Sequence, residues 1–284
     1  MTFDIFAQTR DRLGESPMWH PAEQALYWVD WYGPTLHRKA WGGDKVQSWT
    51  IPGETVLGSF VFAAGGKLLI AVDSGLRLFD PATGASTLFA DPNQARPGVG
   101  YNDSKLDRSG RLWAGTFDVP ETEPRGILYC LEADGAWSVA DSGFAVCNGP
   151  AFSPDGRTMY FSDSIGRRVL AYDISPATRI PANRRVFASF ADGVPDGLTV
   201  DAEGCLWCAL YGAGRLVRFA PDGAVVRVYE LPCPIVTAAA FGGPNMTHLF
   251  VTTGQSPEGE RDPGGAVFVM DTGIKGLEEP VFNV

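Results

Sequence analysis

The stretch L-Y-W-V-D-W-Y-G-P-T-L-H-R-K-A, Leu26 to Ala40, decides the fold, because its phrase returns five more times along the chain. An apolar strand leads into a turn, and a second strand ends near Asp or Gly. The later copies are LLIAVDSGLRLFDPATG from Leu68, LWAGTFD from Leu112 with GILYCLEADG from Gly126, MYFSDSIGRRVLAYDIS from Met159, LWCALYGAGRLVRFAPDG from Leu206, and LFVTTG from Leu249 with GGAVFVMDTG from Gly264. Successive starts lie 42, 44, 47, 47 and 43 residues apart. A period of about 45 residues built from alternating strands and glycine turns matches a four-stranded propeller blade, and no 3.6-residue helical periodicity accompanies it. The chain is therefore expected to be all-β: a six-bladed β-propeller with four-stranded antiparallel blades, with residues 1–284 as one domain. A closed ring pairs its last blade with chain from the other terminus so that no edge stays open. The segments FDIFA (Phe3–Ala7) and PVFNV (Pro280–Val284) are the candidates for that strand.

Composition agrees with one large β domain. The 284 residues are 45% hydrophobic, and the 34 glycines and 21 prolines are spread through the chain, as many short strands joined by turns require. The net charge of -10, without any Lys/Arg run, disfavours nucleic acid and anionic membranes as partners and suits a cation site. The opening MTFDIFAQTRDRLGESP has no basic segment followed by an apolar one, and no apolar run nears the roughly 18 residues that span a bilayer. A soluble, cytoplasmic protein is expected. The five cysteines, Cys130, Cys147, Cys205, Cys208 and Cys233, form an odd set without paired spacing and read as reduced thiols. Cys205 and Cys208 form a C-x-x-C within a strand-like stretch, where residues three apart point to opposite faces and cannot grip one ion.

Before each phrase lies a segment expected to be the innermost strand of its blade: GESPMWHPAE, LGSFVFAAGG, YNDSKLDRSG, CNGPAFSPDG, PDGLTVDAEG and VTAAAFGGPN. Three of them end in the turns D-R-S-G, S-P-D-G and D-A-E-G, which fix a common register. Eight residues before Gly110, Gly156 and Gly204 stand Asn102, Asn148 and Asp196, and the same offset elsewhere gives Glu15, Gly58 and Thr237. Equivalent inner-strand positions surround a propeller's axis at one height, so Glu15, Asn102, Asn148 and Asp196 should converge. Taken singly, Asn-Gly, Asn-Asp and Asp-Gly are also ordinary turn formers. Two carboxylates and two amides in one channel would repel or stay unsatisfied without a partner, and a hard divalent cation with oxygen ligands is the natural one. Calcium, magnesium, manganese, iron(II) and zinc all fit such a set.

Four motifs now identify a resemblance. L-G-E-S-P at Leu13 to Pro17, Y-N-D at Tyr101 to Asp103, C-N-G-P at Cys147 to Pro150 with S-P-D-G from Ser153, and V-P-D-G at Val194 to Gly197 resemble the gluconolactonase/regucalcin family of six-bladed propellers. The resemblance covers nearly the whole chain. It implies one divalent metal held by Glu15, Asn148 and Asp196, with Asn102 beside it as ligand or substrate contact. Many members carry an Arg two residues before the Asn of the N-D motif, and Gly100 stands there in this chain. A sugar-acid lactone other than gluconolactone itself is therefore plausible as substrate.

The expected chemistry is hydrolysis of the ring ester: the metal polarises the lactone carbonyl, and Asp196, or water oriented by it, acts as general base. Trp31, Tyr101, Asp118 and Tyr211 are candidate sugar contacts at the same mouth, while Trp28, Trp113 and Trp207 alternate within strands as core residues do. Arg125 and Arg261 lie in long loops, where an anionic substituent could be met. No G-x-S-x-G elbow occurs, and His20, His37 and His248 fall at strand ends away from the axis, which argues against a serine triad. Competing readings are a metal-dependent aryl esterase or phosphotriesterase on the same scaffold and a non-enzymatic metal-binding propeller. Interaction propellers of the WD type carry G-H and W-D signatures that are missing here.

Overall fold

The computed structural model describes residues 2–175, 180–256 and 263–284. These residues form six four-stranded antiparallel sheets arranged as the blades of a β-propeller. The first strand, β1 (Asp4–Ala7), belongs to the last blade. Blade 1 then follows as β2 (Gly14–His20), β3 (Ala25–Asp30), β4 (Thr35–Ala40) and β5 (Val46–Thr50), and blade 2 as β6 (Leu57–Ala63), β7 (Lys67–Val72), β8 (Gly75–Asp80) and β9 (Ala85–Ala90). Blade 3 comprises β10 (Val99–Leu106), β11 (Leu112–Asp118), β12 (Gly126–Leu131) and β13 (Trp137–Phe144). Blade 4 comprises β14 (Cys147–Phe152), β15 (Thr158–Asp163), β16 (Arg168–Ile174) and β17 (Pro181–Ser189). Blade 5 comprises β18 (Val194–Val200), β19 (Leu206–Tyr211), β20 (Arg215–Phe219) and β21 (Val225–Glu230). Blade 6 runs β22 (Val236–Gly242), β23 (His248–Thr253), β24 (Val267–Asp271), with β1 as its outermost strand.

The innermost strands β2, β6, β10, β14, β18 and β22 are neighbours around the ring. They are apolar because both faces are covered: every residue of β6, β14 and β22 is buried, whereas β21 exposes all but one. Aromatic and aliphatic clusters fill the wedges between blades. Trp28, Trp113 and Trp207 are fully buried core residues, as expected, and each indole N–H donates to a buried carboxylate: Asp11 at 2.8 Å, Asp107 at 3.0 Å and Asp201 at 2.8 Å. Asp107 and Asp201 also accept turn amides within D-R-S-G and D-A-E-G, so each turn and its tryptophan are built together.

The two termini behave differently from one another. Antiparallel pairing of β1 with β24 closes the ring, as expected for FDIFA. PVFNV, the other candidate, is not a blade strand, because β1 already covers the free edge of β24. The tail crosses the foot of the propeller instead. Gly276 bridges to Asp201 of blade 5, Lys105 of blade 3 meets Glu279 at 2.9 Å, and Phe282 makes a single parallel bridge with Ala63 of blade 2. No helix among the described residues is long and apolar enough to cross a membrane.

Candidate functional site

All six inner strands carry one extra residue relative to their partner strand, at the same level of the axis. The register breaks between Glu15 and Met18, Leu57 and Ser59, Tyr101 and Ser104, Asn148 and Ala151, Pro195 and Leu198, and Val236 and Ala238. A bulge bends its strand and re-aims side chains that regular pairing would send between sheets. Here it turns Glu15, Asn102, Asn148 and Asp196 into one cavity of about 210 Å³ at the mouth of the channel. The two other equivalent positions are structural. A Cβ on Gly58 would lie 2.7 Å from the carbonyl oxygen of Tyr101, so only glycine lets blade 3 approach, and the Thr237 hydroxyl donates to the Gly14 carbonyl.

The polar side chains are held in fixed orientations. Asn148 donates through Nδ2 to Ser164 Oγ at 3.0 Å, which leaves its Oδ1 facing Asn102; Ser164 in turn donates to the Pro195 carbonyl at 2.7 Å. Asn102 donates to that Oδ1 and to the Cys147 carbonyl, and its own Oδ1 accepts from Trp31 Nε1 at 3.1 Å. Asp103, one residue further along β10, is buried and sits beside the pair of acids; it is a site residue that the register did not select, although a charge inside an inner strand was visible in Y-N-D.

Electrostatics single out the same place. Burial, then the carboxylates of Asp196 and Asp103, push Glu15 well above the usual carboxylate range, against the pull of the Ser16 N–H. Burial and then Asp103 do the same to Asp196, and burial raises Asp103 to about 6 despite hydrogen bonds from Gly149 and Ser16. Two buried cavity acids, Glu15 and Asp196, repelled by the buried Asp103 and standing beside two amide oxygens, give an all-oxygen lining whose repulsion a divalent cation would relieve. The chemistry of the residues therefore fits the implied metal. A second acidic group, Asp201, Glu203 and Cys205, is a different case: Arg218 pairs with both acids at 2.8 and 2.6 Å, and Trp207 and turn amides use the rest of Asp201.

Trp31 and Tyr211 line the cavity with the four axial residues. Tyr101 and Asp118 do not. Tyr101 neighbours Asn102 on a strand, so its ring turns the other way, into the blade 2–3 core, and its hydroxyl meets Asp91 at 2.8 Å. Asp118 is fully buried; it accepts the N–H groups of Thr122 and Glu123 and pairs with Arg125 at 3.1 Å. Asp118 thereby shapes the loop from which Glu121 reaches the cavity, a lining residue without any register signal. Phe117, Val146, Leu13 and Ile165 add apolar surface to the lining, and Tyr32 lies at its rim. Arg261 lies outside the described residues. The histidines stand apart from the cavity: His20 lines another recess with Glu23, His248 opens β23, and His37 lies inside β4, rather than at its end, against Asp11 at 3.2 Å. None of the five cysteines is in a disulfide, and all are buried.

Gly100 faces Phe117 across the β10–β11 pair, and the ring occupies the space where a side chain would start. The arginine common at this place in the resembling family is thus replaced by an apolar surface.

Residues 13–255 match the family described as SMP-30/Gluconolactonase/LRE-like region. A 6-deoxy-6-sulfogluconolactonase of Pseudomonas putida is 33% identical over 95% of this chain and 94% of its own length, and a pentonolactonase of Haloferax volcanii is 32% identical over 98% and 97%. The crystal structure of a calcium-binding regucalcin from Agrobacterium tumefaciens superposes with a TM-score of 0.93 at 30% identity, covering 100% of this chain and 99% of that one. By these matches the chain belongs to the SMP-30/gluconolactonase/LRE-like family.

Proposed function

We propose that this chain is a divalent-metal-dependent lactonase that opens a sugar-acid lactone to the free acid. The observation that carries the reading is the convergence of Glu15, Asn102, Asn148 and Asp196 on one cavity, with a third acid, Asp103, behind them. Family relatives named as sulfogluconolactonase, pentonolactonase and L-arabinolactonase support the substrate class. Glu15, Asn148 and Asp196 would hold the metal. When bound, the ion would supply Lewis-acid polarisation of the lactone carbonyl and charge stabilisation as the ester bond breaks.

The chain's own residues do the rest. Asn102, fixed by Trp31 and Asn148, orients the substrate beside the acids. Asp196 faces the cavity and takes a proton from the attacking water through a carboxylate oxygen. Trp31 and Tyr211, which both line the cavity, pack on the sugar ring. The deciding experiment is a pH-drop assay over aldonolactones, aryl esters and organophosphates, each with calcium, magnesium, manganese, iron(II) or zinc. Lactones should be turned over fastest, and activity should vanish on exhaustive chelation. Undiminished rates after chelation, or faster ester or phosphotriester hydrolysis, would overturn the reading.

A further inference from the structure

The cavity has two chemically distinct walls. One carries the four axial polar residues. The other is an apolar cluster in which Trp31, Phe117 and Val146 pack together, with Leu13 and Val56 against them. The Trp31 and Phe117 rings meet edge to face at 5.4 Å. Phe117 is fixed by its partner: a Cβ on Gly100 would lie 2.5 Å from Phe117 Cε1, so any larger residue at 100 would expel the ring. Gly100 therefore makes the apolar wall possible.

Charge sharpens the contrast. Glu15, Asp196 and Glu121 line the cavity, and among the described residues no Lys, Arg or His does. Two arginines near the wall have partners: Arg12 stacks at 5.0 Å on the ring of Tyr32, a residue of the cavity rim, and Arg125 is tied to Asp118. One divalent ion does not balance these acids, so a second anion entering the cavity meets like charge, with no lining Lys, Arg or His among the described residues to pair with it. Burying such a charge unpaired is strongly unfavourable.

We infer that the site selects uncharged lactones whose chain end is short or deoxygenated, and rejects lactones that carry a sulfonate, phosphate or carboxylate. The inference rests on the lactonase reading. A hydrogen or methyl group at the chain end packs on Phe117 and Trp31, where an anionic group would lose its water and gain nothing. The relative from Pseudomonas putida is named for a sulfonated lactone.

The test compares kcat/KM of the full chain, loaded with one active metal, for an aldopentonolactone, a 6-deoxyhexonolactone, a hexonolactone, and 6-phospho- and 6-sulfohexonolactones. Uncharged lactones should lead the anionic ones by at least about a hundredfold, with the pentono- and 6-deoxy compounds ahead of the parent hexonolactone by up to tenfold. Calorimetric binding of the unreactive lactams of the same series should give the same order without turnover. Phe117→Ala should lower kcat/KM about tenfold for the 6-deoxy compound and leave the anionic ones little changed. Gly100→Arg combined with Phe117→Ala puts a guanidinium where the ring stood and should narrow the gap between charge classes. Equal turnover of anionic and uncharged lactones by the unmodified protein overturns the inference while leaving it a lactonase. Inertness toward every lactone, in contrast, removes the lactonase reading and this inference with it.

Discussion

Asp103 reaches across the ring to the backbone N–H of Gly149, which donates to its Oδ2 at 2.9 Å, while its Oδ1 accepts from Ser16 Oγ at 3.1 Å. Ser16 follows Glu15 and Gly149 follows Asn148, so one buried carboxylate of blade 3 ties down the residues adjoining two proposed ligands in blades 1 and 4. Both tethered residues sit in the left-handed region, Ser16 at φ 48° and Gly149 at φ 74°. Glycine adopts this conformation freely, whereas Ser16 keeps it only where its surroundings hold it.

Asp103 should therefore act on metal affinity by positioning Glu15 and Asn148. Asp103→Ala is expected to weaken divalent-ion binding about 10- to 100-fold by calorimetry, and Asp103→Asn, which keeps one acceptor, by less. Unaltered affinity in both variants would remove Asp103 from the metal's support.

Asp196 is assigned two tasks, and its loss should be severe. Asp196→Ala is expected to lower kcat at least about a thousandfold while preserving the circular dichroism spectrum. The metal-free variant should melt no lower than the parent, because a buried, repelled carboxylate has been deleted. Full activity in a folded Asp196→Ala protein would refute the role.

The repeat phrase from Leu26 revealed the blades because strands next to a core must be apolar at a fixed spacing, and the turn sequences pinned the register that brought Glu15, Asn102, Asn148 and Asp196 together. The bulges reinforced that register, since all six strands share them. Tyr101 and Asp118 were misplaced for a local reason. Each directly neighbours a lining residue, Asn102 or Phe117, and side chains one apart on a strand point to opposite faces. Glu121 and the apolar wall arise from loop geometry and a cross-strand pair, and neither has a periodic signature. The course of the C-terminal tail depends on which terminus takes the β24 edge, a competition between two segments of similar composition.

Acid should stabilise the metal-free protein. Glu15, Asp196 and Asp103 all have folded-state affinities for protons above those of the unfolded chain, so between the ordinary carboxylate range and about 6, the value for Asp103, the folded state binds more protons. Stability from these groups is present at low pH and is lost as pH rises through that window. The melting temperature of metal-free protein should rise as pH is lowered from about 7.5 toward about 5. Saturating metal should flatten or reverse the trend, because those protons must leave for the ion to bind. A metal-free melting temperature that falls over the same range would show that these acids are not mutually strained.

The tail should behave as a structural strap. Phe282 is fully buried among residues of blades 1 to 3, its ring meets Phe89 at 5.4 Å, and its backbone exchanges hydrogen bonds with Phe62 and Ala64. Truncating such a side chain costs about 3 kcal/mol or more, so Phe282→Ala should shift the denaturation midpoint markedly, while Val284→Ala, at a half-exposed position, should stay within about 0.5 kcal/mol. The strap also places Glu279 against Lys105 at the foot of the channel. Catalysis at the opposite mouth should survive Phe282→Ala at temperatures where the variant remains folded. A stability loss confined to a few tenths of a kcal/mol would mean that the tail merely rests on the blades.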